Sequence, residues 1–333
     1  MRISIMNYVG VDVDSQFLVC KIQRNGKDFP ISKFENTPIG YRQFIKWATK
    51  YHKPARVCME ATGVYSLQFA LALHQTQNIE VMVMNPRAIK NFAVAYLQRG
   101  KTDALDAEAI LQYLIRMPFR EWQPPSDECF EIQSISRRIV QLNVLLTRER
   151  NRHHAASKMG QIGRVVANDT AVNMRHFERR IKTMESELIK LMESIPELSE
   201  KLKLLRSATG IADKTGPRIL AELSMLPDDM TESQWVAYAG LDPRPYESGT
   251  STNKPRRITK AGNRYLREVL YFPALVAIQK DPNVKAFYEK LVAKGKKPLQ
   301  AIVAVMRKLL LAIWGMFKHN KPWDGEKFYA LKT

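Results

Sequence analysis

The sequence predicts a mixed α/β amino-terminal domain, then a long pair of helices, then a mainly α carboxy-terminal domain. Short apolar runs alternate with amphipathic stretches up to about residue 117. Two sustained apolar seams, stepping by three and four, occupy the next stretch. The remainder is helical in pattern and basic. The expected divisions are 1–117, 118–200 and 201–333.

Residues 5–13 and 17–23 are apolar runs, and Asn25-Gly26 carries the chain into a third within "RNGKDFPISKF". An Asn-Gly pair between apolar runs is a hairpin signal, so these three read as antiparallel strands. A helix is expected over 38–50, entered through Asn36-Thr37, then a short buried strand over 55–59. A helix over 65–74, a strand over 79–84 and a helix from Pro86 follow. In "GKTDALDAEAI" (100–110), Thr102 can cap a helix whose apolar positions are Leu105, Ala109, Ile110 and Leu114.

"PFREWQPPSD" reads as a linker, because Pro118, Pro124 and Pro125 disfavour continuous helix or central strand. Beyond it, Ile132, Ile135, Ile139, Leu142 and Leu146 form one seam. Met174, Phe177, Ile181, Met184, Leu188, Leu191 and Ile195 form another. Turn residues in "NRHHAASKMGQIGRVVAND" make this an antiparallel hairpin or coiled-coil arm, suited to self-association or to simple internal packing. "SATGIADKTGPRILAEL" has the outline of a helix-hairpin-helix that offers backbone N–H groups to phosphate, with Ala212 where glycine is usual; a plain αα-turn is the alternative. Further on, Lys254, Arg256, Arg257, Lys260, Arg264 and Arg267 crowd a segment rich in Ser, Thr, Gly and Pro, suited to gripping a phosphate backbone.

The 333 residues are 45% hydrophobic, enough for substantial cores, and 52 Lys plus Arg against 33 Asp plus Glu leave a formal charge of +19. That excess points to a polyanionic partner, nucleic acid first. A membrane role is not expected: the most apolar stretch, 309–317, is too short to span a bilayer, and no signal-peptide pattern opens the chain. Cys20, Cys58 and Cys129 are too few and too scattered for a disulfide framework or a cysteine-ligated zinc site. The expected compartment is the cytoplasm.

Four carboxylates stand where strands end or helices begin. Asp12 closes the first apolar run, with Val9, Val11 and Val13 facing one way and Gly10, Asp12 and Asp14 the other. Glu60 ends the short strand in "VCMEATG", and Asp103 and Asp106 share one face at the start of their helix. Locally the last two are ordinary acidic residues of a helix N-terminus. Gathered at one sheet edge, however, the four would repel one another, and the site would take up protons or bind divalent cations. Oxygen-only ligation suits Mg²⁺ or Mn²⁺, which beside a phosphodiester can assist an in-line displacement.

In order and spacing, "GVDVD", "MEATGVY", the "NP" after the next strand and "KTDALDA" resemble the DEDD site of RuvC-like, ribonuclease-H-fold nucleases, and in particular the insertion-sequence transposases of the IS110 family. "AYAGLDPRPYESGTS" and "ITKAGNRYLREVLY" are similar to that family's carboxy-terminal transposase domain, so the resemblance covers nearly the whole chain. It implies an α/β RuvC-like first domain, Asp12, Glu60, Asp103 and Asp106 as metal ligands, and Ser248 in "YESG" as the nucleophile that forms a phosphoserine with DNA. Asp14 is a neighbour that the family pattern passes over. The resemblance further implies a noncoding bridge RNA that pairs with donor and target DNA, and a homo-oligomer, dimer or tetramer. In it the serine of one subunit meets the carboxylates of another, with the coiled-coil segment as the assembly element. Two other readings stand beside this one: a metal-dependent nuclease or junction resolvase that uses water, with Ser248 structural, and a nucleic-acid-binding protein without catalysis.

Overall fold

A computed structural model describes residues 6–61, 63–96, 102–244 and 257–331, and the backbone alone at 247–248 and 252–253. The chain forms two compact units, Met1–Pro124 and Pro125–Thr333.

In the first unit, β1 (Asn7–Val13) pairs antiparallel with β2 (Phe17–Arg24), which pairs with β3 (Lys27–Asp28) and β4 (Ser32–Glu35). Asn25 and Gly26 take φ of 51° and 74°, the left-handed pair that a tight hairpin turn requires. The third apolar run is two short strands, not one. Pro30 lies between them and has no N–H to give a ladder, and pairing with β2 resumes at Ser32. After α1 (Pro38–Ala48) the chain returns as β5 (Ala55–Glu60), parallel to β1; α2 (Val64–His74) leads to β6 (Ile79–Met84), parallel to β5. The sheet order is β3-β2-β1-β5-β6, with β4 on β2, and α3 (Pro86–Ala95) and α4 (Asp103–Arg116) complete the unit.

Alternation along the strands gives the sheet two covered faces. Val9, Val11, Val57, Met59 and Val81 pack with Phe44 of α1 and with Phe69 and Leu73 of α2. Cys58 and Met82 face the other way, against Ile89 of α3 and Ile110 and Leu114 of α4. Of the four apolar positions expected along α4, Ala109, Ile110 and Leu114 are buried, but Leu105 is exposed in the helix's first turn.

The second unit opens on α5 (Asp127–Lys158), capped by Ser126, and α6 (Arg164–Ser194). The expected seam is its interior: Ile132, Ile139, Leu142, Leu146, Ile181 and Leu188 are buried in one core. The same core continues through α7 (Pro196–Ser207), α8 (Gly216–Leu223) and α9 (Glu232–Ala239). Next come the short strands β7 (Pro243–Arg244), β8 (Glu247–Ser248), β9 (Thr252–Asn253) and β10 (Arg257–Ile258). The helices α10 (Arg264–Val269), α11 (Tyr271–Lys280), α12 (Pro282–Ala293), α13 (Pro298–His319) and α14 (Gly325–Phe328) finish the unit. By length and composition α13 could cross a bilayer, which the stretch 309–317 alone did not predict. Here Ala301, Val305, Leu309, Leu310 and Ile313 make it a core helix.

Candidate active site

The carboxylates are placed by strand register and by one close helix contact. Val11 pairs with Met59 across the parallel strands β1 and β5, and both point into the same core, so Asp12 and Glu60, each one residue further along its strand, turn to the opposite face. That is the face α4 covers. A Cβ added to Gly10 would stand 2.3 Å from Leu111 N and 2.5 Å from Ala107 O, so the absent side chain is what lets α4 lie on β1. Asp12 is two residues further along this face, and the first turn of α4 lies one helical turn back from Ala107. Thr102 starts that turn, its side chain accepting from Leu105 N at 3.2 Å.

Burial, and then the negative charges of Asp106, Asp103 and Asp14, push the Asp12 carboxyl up to about 6. Asp12, Asp106 and Glu60 are half-buried and Asp103 is exposed. Asp14 is committed elsewhere. Its Oδ1 accepts from Gln16 N at 2.5 Å and Phe17 N at 2.7 Å, tying the β1–β2 turn and holding its carboxyl below the ordinary range. The donor set, oxygen only, fits a hard divalent cation. Among the described residues no three such side chains are drawn together closely enough to enclose one. The donors are gathered at one edge, but more widely than a coordination sphere.

Ser248 belongs to the second unit. Arg244 pairs with Arg257 and Pro243 with Ile258, while further in Glu247 pairs with Asn253 and Ser248 with Thr252. These pairs are nested as in a hairpin, and Ser248–Thr252 is the innermost among the described residues. The base of the hairpin is fastened by several bonds. Thr259 Oγ1 donates to Asp242 Oδ1 at 2.5 Å, Lys260 N to Gly240 O, and Asn263 N to Tyr238 O at 2.6 Å. Gly262 passes so near Tyr238 that a Cβ there would be 2.2 Å from its carbonyl oxygen.

The sequence reading missed what holds this base. Asn263 caps α10 by accepting from Tyr265 N and Leu266 N, and its Nδ2 donates to Glu222 Oε2 at 2.6 Å and to the Tyr238 hydroxyl at 2.9 Å. Glu222, 1% exposed, also accepts from Arg137 Nε at 3.0 Å and Nη2 at 2.9 Å, and from Gln133 Nε2 at 3.2 Å. The signal was a carboxylate inside the apolar run "ILAEL", which can be buried only if it is paired.

Lys254 and Arg256 lie outside the described residues. Arg257, Lys260 and Arg264 are exposed, the last with its guanidinium over the Tyr265 ring at 5.0 Å. Arg267 is half-buried and donates to Ala239 O at 2.7 Å, securing the turn at Gly240. The segment that outlined a helix-hairpin-helix is an αα-turn closed on itself. Ala212 N donates to Thr215 Oγ1, Thr215 N and Gly216 N donate to Ala212 O, and Gly210 packs on Pro273 O.

Residues 9–159 match the family model described as "Transposase", the DEDD domain of IS110 elements, and residues 202–289 match "Transposase IS116/IS110/IS902 family". The pilin gene-inverting proteins of Moraxella bovis and Moraxella lacunata are each 29% identical over 325 residues, covering 95% of this chain and 97% of theirs. A probable family 20 transposase of Pseudomonas aeruginosa is 25% identical over 250 residues, covering 68% of this chain and 72% of its own. The ribonuclease-H-like sheet, the order of its carboxylates, and both family models in their proper sequence along the chain agree: this chain belongs to the IS110 family of transposases, enzymes of DNA phosphoryl transfer.

Proposed function

We propose that this transposase cuts and rejoins DNA through Ser248, assisted by a divalent cation held by Asp12, Glu60, Asp103 and Asp106. The observation that carries the reading is the crowding at Asp12, whose carboxyl is pushed up to about 6 by burial and by Asp106 and Asp103. Such repulsion is compensated by a cation. Bound Mg²⁺ or Mn²⁺ supplies Lewis acidity to phosphate oxygens. Ser248 Oγ forms a bond to phosphorus, the strand's ester oxygen leaves, and the serine proton passes to that oxygen. One phosphodiester thus replaces another, and the strand can be rejoined without an external energy source. Hydrolysis by water would lose that bond.

Donor and target DNA are the substrates in this reading, a noncoding bridge RNA chooses them by base pairing, and the protein grips backbone and duplex shape. The compartment is the cytoplasm. Assembly is through the α5–α6 hairpin, whose connecting end exposes Met159, Ile162, Val165 and Val166, apolar side chains suited to a second copy. Exposed Arg257, Lys260 and Arg264 beside the serine hairpin support a role in phosphate binding.

The test is a denaturing gel that follows labelled DNA onto the protein. Ser248→Ala should bind DNA as the unaltered protein does and form no covalent species. Adduct formation by that variant would refute the nucleophile. Undiminished strand cleavage without an adduct would favour a hydrolytic nuclease.

A further inference from the structure

The helical hairpin carries a charge asymmetry that its seam does not explain. In α6, residues 164–182 hold Arg164, Arg175, Arg179, Arg180 and Lys182 against only Asp169 and Glu178. Both of these acids are engaged, Asp169 with Asn173 Nδ2 at 3.3 Å and Glu178 with Arg150 Nη2 at 2.9 Å. In the remainder of the helix, Glu185, Glu187 and Glu193 pair with Lys214, Lys190 and Arg206. Apart from Asp169, whose partner is a neutral amide, the acids of α6 are therefore ion-paired, while Arg164, Arg175, Arg179 and Lys182 make no ion pair among the described residues.

These four cations share a side. At 100° per residue they fall within about 60° of one another, turned away from the buried positions Thr170, Ile181 and Leu188. All four are exposed, and so are Asn168 and Ser186 on the same side; Glu178, one turn before Lys182, borders the stripe and is paired with Arg150 of α5. From Arg164 to Lys182 the stripe runs about 27 Å, eighteen steps of about 1.5 Å. The rod beneath it is held at its far end, where His153 Nδ1 lies 3.0 Å from Ala167 O and 3.2 Å from Thr170 Oγ1.

We propose that this face of α6 is a docking surface for the phosphate backbone of duplex DNA, separate from the basic segment beside Ser248. Uncompensated cations on a rigid helix gain most from a regular polyanion, because each phosphate neutralised releases a condensed counterion and little chain entropy is lost. A duplex offers about one charge per 1.7 Å of axis, so a stripe of this length always finds phosphates without reading sequence. The proposal rests on the DNA-recombinase reading but needs neither the serine nor a metal.

The test is the salt dependence of duplex binding by the full chain, without divalent cation. In the triple variant Arg175→Gln, Arg179→Gln, Lys182→Gln, the log–log slope should flatten by about 0.9 per lost contact, up to about 2.7, and the Kd at low salt should rise at least about tenfold. Helix content and melting temperature should hold, because these side chains lie outside the seam. An unchanged slope would overturn the proposal. So would equal flattening in Lys280→Gln, Lys285→Gln, Lys294→Gln, an equal charge change on other helices, or a loss confined to structured RNA. If the unaltered protein bound no duplex at all, the recombinase reading would fail too. Loss of the Ser248 adduct chemistry alone would leave this surface standing.

Discussion

Gly10 on β1 lies directly beneath the backbone of Leu111 on α4, so close that a methyl group on Gly10 would stand 2.3 Å from Leu111 N and 2.8 Å from its Cα. Both obstacles are backbone, so no side-chain rotation relieves them. Gly10→Ala should push α4 off the sheet, costing about 1–3 kcal/mol as an overpacking change. It should also move Asp103 and Asp106 away from Asp12. Denaturant unfolding together with metal-dependent cleavage checks this: activity should fall further than the folded fraction does, whereas parallel losses would mean that α4 only supports the fold.

Asp12 links stability to pH with a definite sign. Its carboxyl rises from 3.8 to about 6 on folding, so between those values the folded chain holds more proton than the unfolded chain, and stability falls as pH rises. Above about pH 6 that penalty is complete. Asp12→Asn removes the repelling charge, so in the absence of divalent cation it should melt higher than the unaltered protein at pH 7, by a margin that narrows toward pH 4. Mg²⁺ should raise the melting temperature of the unaltered protein and leave the variant nearly unmoved. A variant no more stable than its parent at pH 7 would show that the Asp12 charge is penalised neither by burial nor by its neighbours.

Arg257 and Arg267 sit ten residues apart in the same basic segment but in different surroundings. Arg257 is exposed on β10, while Arg267 is bonded to Ala239 O. Arg257→Ala should weaken DNA binding about equally across sequences, flatten the salt slope by up to about one unit and leave the melting temperature alone. Arg267→Ala should instead destabilise by about 1–2 kcal/mol, as loss of a charged hydrogen-bond donor to a carbonyl does. Matching behaviour of the two variants, in melts and binding curves, would contradict this division.

The carboxylates belong to one compact unit and Ser248 to the other, so an assembly that combines them across subunits makes a genetic prediction. Mixed multimers of Ser248→Ala and Asp12→Asn should regain part of the cleavage that each lacks alone, because one subunit keeps an intact serine and the other intact carboxylates. Self-sufficient subunits would give none. Cleavage of labelled substrate across a titration of the two inactive proteins decides between them.

Much of this protein is local, and what is local is legible. The Asn25-Gly26 turn, the Thr102 cap before Asp103 and Asp106, and the heptad seam through Ile139, Leu142, Ile181 and Leu188 follow from rules acting over a few residues, and each is where the sequence puts it. The phasing of β1 is local too: with Val11 buried, Asp12 must face the other way. Tertiary structure decided the rest. Only the β1–β5 register turns Asp12 and Glu60 to the same face of the sheet, and only the approach of α4 over Gly10 brings Asp103 and Asp106 into the field of Asp12. Asp14, two residues from Asp12 and of the same chemistry, is drawn off by two backbone N–H groups, and Arg267 is drawn off by a carbonyl. Glu222 is buried because Arg137, Gln133 and Asn263, 41 to 89 residues away along the chain, meet around it. The physical reason is common to all of these. Propensity and periodicity depend on neighbours in the chain, whereas the charge a carboxylate keeps and the partner a cation takes depend on which distant groups folding sets within a few ångströms.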